Sequence, residues 1–134
     1  MHPLFSEADA ISNTVIGAAM EVHRDKGPGL IESIYERCLL HELSLRKLPA
    51  RNQGTVRITY KDLVFEEMLR FDILVNECLL VEGKCVEKIL PVHKAQLMTY
   101  MRLLNIPVGL LFNYNKATLR EDMHRLILPG ANTL

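Results

Sequence analysis

Two apolar runs constrain this chain more than any other stretch: Arg70-Phe71-Asp72-Ile73-Leu74-Val75 and Leu79-Leu80-Val81-Glu82-Gly83-Lys84. Each reads as a strand, yet together they carry Asp72, Glu82 and Lys84, charges that a buried strand disfavours. Local rules of this kind are broken where a site has been built, with compensation elsewhere. Alternation across a strand places Arg70, Asp72 and Leu74 on one face and Phe71, Ile73 and Val75 on the other. In the following strand Leu80, Glu82 and Lys84 share a face, opposite Leu79, Val81, Gly83 and Cys85. The small and apolar sets form the expected core face against a helix, so the charged sets converge on the remaining face.

That convergence places a demand on the turn. Directly opposed residues of an antiparallel pair lie on the same face, so Asp72 accompanies Glu82 only where opposed numbers sum to an even value. A two-residue turn at Asn76-Glu77 pairs Asp72 with Val81 and sends Glu82 to the wrong side. The predicted connection is therefore Asn76-Glu77-Cys78, or a bulge that shifts the register by one. Two carboxylates brought together repel, and one binds a proton unless a cation lies between them. Hard divalent ions such as Mg²⁺ or Mn²⁺ suit oxygen donors of this kind. The competing reading is an exposed i, i+2 ion pair of Glu82 and Lys84 on a solvated sheet face, which contributes little.

Elsewhere the pattern is conventional. Ser6 and Asp9 have capping-box spacing, and Ile11, Val15, Ala18, Ala19 and Val22 recur at helical intervals, predicting a helix over 7–24. Lys26-Gly27-Pro28-Gly29 stops it. A second helix is predicted over 30–47, with Ile31, Ile34, Tyr35, Cys38, Leu39, Leu43 and Leu45 as its apolar stripe. From residue 54 the period becomes two, and strands are expected over 54–60, 64–75 and 78–86. Residues 92–105 return to helical spacing, with Ala95, Met98, Met101 and Leu104 or Leu103 inward. Pro107 to Phe112 is a short strand apolar on both faces, and 122–128 a final edge strand. The order implies an α/β sandwich in which a crossover helix carries a meander into a parallel strand.

At 134 residues the chain suits one core, so a single domain over 1–134 is expected. Its 49% hydrophobic and 24% charged residues exclude disorder. Lys plus Arg and Asp plus Glu number 16 each, so composition supplies no basic excess for meeting phosphates. No apolar run approaches the roughly 20 residues that span a bilayer, and Met1 to Glu7 lacks a basic-then-apolar leader, which points to the cytoplasm. Cys38, Cys78 and Cys85 are odd in number without C-x-x-C spacing, suggesting neither a disulfide framework nor zinc, but buried small residues.

The charged stretch also resembles a known family. Asp72 followed by Glu82-Gly83-Lys84 is similar to the D…ExK signature of the PD-(D/E)XK nuclease superfamily, and the element order resembles its restriction-endonuclease-like αβββαβ core, a mixed sheet flanked by helices, with an extra N-terminal helix. Gly29-Leu30-Ile31-Glu32-Ser33-Ile34-Tyr35 matches the GxxExxY motif of one bacterial and archaeal family within it. Gln96-Leu97-Met98-Thr99-Tyr100 resembles the QxxxY motif of RecB-like and Cas4-like nucleases, and Pro91-Val92-His93 before it also looks familial. The resemblance implies that Asp72 and Glu82 ligate Mg²⁺ or Mn²⁺, with the Gly83 carbonyl as a third donor, and that Lys84 is catalytic. It further implies that Glu32 completes the acidic set and that Gln96 and Tyr100 support Lys84 or the nucleic-acid strand. Their i, i+4 spacing puts those last two on one helix face. Bland roles stand beside these: Tyr35 as a core aromatic, Glu32 as a first-turn acid, Tyr100 as a packing residue, His93 as structural and His23 as a helix C-terminal cap. The family usually carries a bulky apolar residue where this chain has Gly83, and glycine in a strand marks a bulge or a close backbone approach.

The implied activity is metal-dependent hydrolysis of nucleic-acid phosphodiesters, DNA in the first instance. The alternative is a catalytically weak or inactive nuclease-like module that binds nucleic acid or regulates. A homodimer is compatible with the small size, since a second copy helps to grip a duplex, but no residue pattern specifies one.

Overall fold

A computed structural model describes residues 1–134. The helical periods become α1 (Phe5–Lys26), α2 (Glu32–Leu45) and α3 (Pro91–Leu104). The period-two stretches become β1 (Ala50–Tyr60), β2 (Leu63–Val75), β3 (Leu79–Lys84), β4 (Val108–Asn113) and β5 (Met123–Ile127). One five-stranded sheet has the order β1-β2-β3-β4-β5, antiparallel except between β3 and β4. This is the mixed, helix-flanked α/β sheet expected of a restriction-endonuclease-like domain, with α1 as the extra leading helix.

Small residues let α1 approach closely: Ala8, Val15, Ala18 and Ala19 are fully buried. The helix stops at Gly27, whose φ of 69° is left-handed backbone that glycine adopts without steric cost. Its start differs from the capping-box expectation. Leu4 is the cap without a side-chain bond; the Ser6 hydroxyl turns to Met1 and Asp9 pairs with Arg125. In α2 the stripe is narrower than expected, because Ile31 and Leu45 lie at or beyond its ends and are 67% and 63% exposed. Of the cysteines only Cys78 is fully buried; Cys38 and Cys85 are half-buried.

The central part of the sheet is covered on both faces. Val15, Tyr35, Leu39 and Leu43 from α1 and α2 pack on Ile73, Val75, Leu79, Val81 and Phe112. On the other face Leu97 and Met101 of α3 pack on Leu74, Leu80 and Leu111. The face expected to be left open is therefore closed at its Leu74–Leu80 end. Gly109 sets how α3 lies, since a Cβ there would meet Met101 Sδ at 2.7 Å and Leu97 Cδ2 at 3.1 Å. The helix is thus turned so that Leu97 and Met101 face inward while Ala95, expected inside, is exposed.

The turn meets the demand made by parity. Ile73 opposes Val81, Leu74 opposes Leu80 and Val75 opposes Leu79, leaving Asn76-Glu77-Cys78 as the connection. Asn76 and Glu77 take φ of 52° and 56°, uncommon for residues with a Cβ. The Asn76 amide donates to the Pro49 carbonyl (2.7 Å), and Arg51 donates twice to Glu77 (2.7 and 2.8 Å), which holds that turn.

One local irregularity corrects the face assignment. Arg51 opposes Leu74 but Gln53 opposes Arg70, so Asn52 of β1 faces three residues of β2, 71–73. Across this bulge strict alternation fails. Phe71 packs beside Leu74 and Leu80 on the α3 side, whereas Arg70 reaches Glu36 of α2 at 3.5 Å. Asp72 sits within the bulge rather than on either face.

Candidate active site at the fork of β2 and β3

Ile73 and Val81 are the last paired residues of β2 and β3, and beyond them the strands part. Asp72 occupies the fork, with its Oδ2 accepting the Gly83 amide at 2.8 Å. Amide and carbonyl of one strand residue point the same way, so the Gly83 carbonyl is also directed toward β2. Asp72 borders two cavities. The larger, about 160 Å³ on the α3 side, is bounded by Arg70, Asp72, Glu82, Gln96 and Tyr100 among others. The smaller, about 10 Å³ on the α2 side, is bounded by Glu32, Glu36, Asp72, Gly83 and Tyr114.

The residues singled out from the sequence thus come together in two groups that share Asp72. Glu82, Gln96 and Tyr100 lie toward α3. Glu32 and Gly83 lie toward α2, with Glu32 Oε1 accepting the Cys85 amide at 3.1 Å. Lys84 joins the first group through Glu82, its Nζ standing 3.3 Å from Glu82 Oε1 with only 18% and 15% of the two side chains exposed. That burial excludes the bland alternative of a solvated surface pair.

The electrostatics are those of a carboxylate-rich fork. Burial first, and then the negative fields of Glu82, Glu36 and Glu32, push Asp72 up to about 7, against the Gly83 amide, which pulls it down. Burial, followed by Glu32, likewise pushes the Cys85 thiol up to about 11. Glu82 Oε2 is buried without a hydrogen-bond partner, a cost that a native site retains only with a reason. No group of three His, Cys, Asp or Glu side chains is disposed to hold a metal. Two carboxylates and a main-chain carbonyl nevertheless make an oxygen donor set that suits a hard divalent cation. The orphaned Glu82 Oε2 is the observation in favour of that fit.

Behind the fork stands a tyrosine stack. Tyr35 and Tyr114 lie with ring centroids 4.2 Å apart and 1° between planes, and a Cβ on Gly83 would meet Tyr114 Cε2 at 2.5 Å. Tyr114 fills the space beneath position 83, which leaves room for no side chain there. Tyr35, fully buried as expected of a core aromatic, donates its hydroxyl to the Gly27 carbonyl and accepts from the Leu30 amide at 3.2 Å. It thereby ties the α1–α2 loop to the floor of the site. His23 is no helix cap: its Nε2 lies 3.1 Å from the Tyr114 carbonyl. His93 is structural, its Nδ1 accepting the Leu90 amide at 2.9 Å at the start of α3.

A second network fixes the segment between Lys84 and α3. Asp122 Oδ2 accepts from the Ile89 amide at 2.8 Å and from Asn113 Nδ2 at 3.1 Å. Asn113 Nδ2 also donates to the Val86 carbonyl at 2.8 Å. These buried side chains determine where Gln96 and Tyr100 fall relative to Lys84. Three site residues escaped the sequence reading. Glu36, four residues after Glu32 and on the same helix face, was signalled by that spacing. Arg70 was read only as a strand residue, and nothing in the pattern pointed to Tyr114.

A mixed sheet with helices on both faces, an aspartate in the fork of two diverging strands and Glu-Gly-Lys on the second of them defines the restriction-endonuclease-like class of α/β domains. The model of the PD-(D/E)XK nuclease superfamily matches residues 9–126, and the chain belongs to that superfamily. Nucleases of this superfamily generally use divalent metal ions and act on nucleic acid. No curated protein and no solved structure matches the chain. No helix is long and apolar enough to cross a membrane.

Proposed function

We infer that the chain is a Mg²⁺- or Mn²⁺-dependent nuclease of the GxxExxY kind that hydrolyses phosphodiester bonds, DNA being the first substrate to test. The observation that carries this reading is the unpartnered, buried Glu82 Oε2 in the fork beside Asp72. Asp72, Glu82 and the Gly83 carbonyl are the residues to hold the ion. When bound, a divalent cation lowers the pKa of a water molecule and offsets charge on a phosphoryl oxygen. The Lys84 ammonium, kept beside Glu82 at 3.3 Å, orients the attacking water and stabilises the negative charge that develops on the phosphate. Gln96 and Tyr100, projecting from α3 into the cavity, position the strand and shield the fork from bulk water. Glu32 and Glu36 add negative charge on the α2 side, which raises the pull on a cation at Asp72.

Incubation with labelled single-stranded, double-stranded and branched DNA, and with RNA, in Mn²⁺ or Mg²⁺ tests this. The expected result is cleavage that EDTA abolishes and that Lys84→Ala lowers by at least about 100-fold, the scale for one charge-stabilising group. Cleavage untouched by Lys84→Ala rejects the assignment. The balance of 16 basic and 16 acidic residues supports the second reading, a weakly active or inactive nuclease-like module. Calorimetric titration separates the two, because the absence of Mg²⁺ or Mn²⁺ binding that depends on Asp72 and Glu82 favours the module.

A further inference from the structure

The β1–β2 hairpin runs well past the rest of the sheet, since only Ile73, Leu74 and Val75 of β2 pair with β3. In its outer part Ile58 opposes Phe65 and Tyr60 opposes Leu63, and cross-strand partners share a face. Tyr60, Leu63 and Phe65 are 63%, 54% and 40% exposed while Val56, nearer the base of the same face, is buried, so the outer part of this face is an apolar patch that nothing in the chain covers. β1 is the outermost strand of the sheet and β3 is too short to reach the outer half of β2. Both long edges of the hairpin tip are therefore free, a condition that templates pairing with another chain.

The charges on this face select the occupant. Lys61 is at the tip, its ammonium 5.3 Å from the Tyr60 ring centroid, and Glu67, opposite Val56, is at the base. Neither belongs to an ion pair within the chain. A two-fold axis through the middle of the face brings the Lys61 of one copy over the Glu67 of the other and packs apolar centre on apolar centre. An isologous interface needs this kind of self-complementarity. A nucleic acid would instead call for a surplus of cations.

We propose that the β1–β2 hairpin is a dimer interface, in which the Ile58, Tyr60, Leu63 and Phe65 face packs against the same face of a second copy. β2 carries Asp72 at the root of this hairpin, so the dimer holds two forks at a fixed spacing. The proposal is read from mass, not activity, and stands or falls separately from the nuclease assignment.

Light scattering coupled to gel filtration, with the full chain loaded at rising micromolar concentrations, provides the test. The wild-type mass rises from 15.3 kDa toward twice that value. Phe65→Asp and Tyr60→Asp stay at the monomer mass while their thermal unfolding, measured in dilute solution, matches wild type. Glu67→Lys also stays monomeric, and Lys61→Glu combined with Glu67→Lys regains the dimer, a reciprocal rescue that keeps the test decisive should an apolar variant misfold. A wild-type mass constant at 15.3 kDa, a dimer that survives both the apolar and the Glu67→Lys changes, or a monomer that sediments with phosphatidylglycerol vesicles overturns the proposal.

Discussion

Asp72→Asn keeps an oxygen to accept the Gly83 amide but removes the ionisable proton from the fork. In the unfolded chain this carboxyl titrates near 3.9; in the folded protein, burial and the Glu82, Glu36 and Glu32 carboxylates raise it to about 7. Between those values the folded state binds more protons than the unfolded state. The contribution of the group to stability is thus fully present below about pH 4 and is lost as pH rises through about 7. Three units at about 1.4 kcal/mol each set an upper bound of about 4 kcal/mol, and water reaching the fork lowers this to about 2–4 kcal/mol. Without metal, Asp72→Asn should match wild type at about pH 3.5, where the carboxyl is protonated in both states, and exceed it at pH 8.5 by roughly 8–16 °C in Tm, taking about 4 °C per kcal/mol for a chain of this length. Thermal unfolding by circular dichroism in EDTA reads both values, and the difference between variant and wild type cancels every other titrating group. Saturating Mg²⁺ at about 100 times Kd should then return about 2.7 kcal/mol to the wild type and nothing to the variant. A gap between the two proteins that does not change with pH, or a variant less stable than wild type at pH 8.5, refutes the buried-carboxylate account.

Three further outcomes follow from the geometry. Gly83→Ala drives a methyl group to 2.5 Å from Tyr114 Cε2, and overpacking of this kind costs about 1–3 kcal/mol in a urea titration; adding Tyr114→Leu should recover part of that loss. Tyr35→Phe removes the hydroxyl between Gly27 and Leu30 and should cost about 1–3 kcal/mol, with faster amide exchange at Leu30 and unchanged exchange at Leu110. Arg70, 67% exposed and making one long contact to Glu36, contributes under about 1 kcal/mol to stability. If it meets a phosphate at the cavity mouth, Arg70→Ala lowers oligonucleotide affinity and reduces the salt slope by about 1; an unchanged slope removes it from the substrate path.

Element order was legible because helix and strand periods are written locally: α1, α2, the three-strand meander, α3, β4 and β5 all occur where the apolar spacing puts them. Parity carried further than periodicity. The requirement that Asp72 and Glu82 share a register is arithmetic on residue numbers, and it is met by the three-residue connection Asn76-Glu77-Cys78, one of the two solutions that parity allows. Other features had no local signature. The rotation of α3 that exposes Ala95 follows from the missing Cβ at Gly109 on another strand, and the side-chain caps of α1 gave way to contacts with Met1 and Arg125.

The fork itself divides along the same line. The chain alone determined the candidate residues for its chemistry, Asp72, Glu82, Gly83 and Lys84, because residue type and strand alternation are properties of neighbouring positions. Only the tertiary structure decided how they meet. The bulge opposite Asn52 lifts Asp72 out of simple alternation, Glu36 and Arg70 enter from α2 and the outer hairpin, and Tyr114 occupies the space that makes Gly83 necessary. Each of those decisions rests on steric and electrostatic contacts between segments far apart in the chain, which no local period encodes.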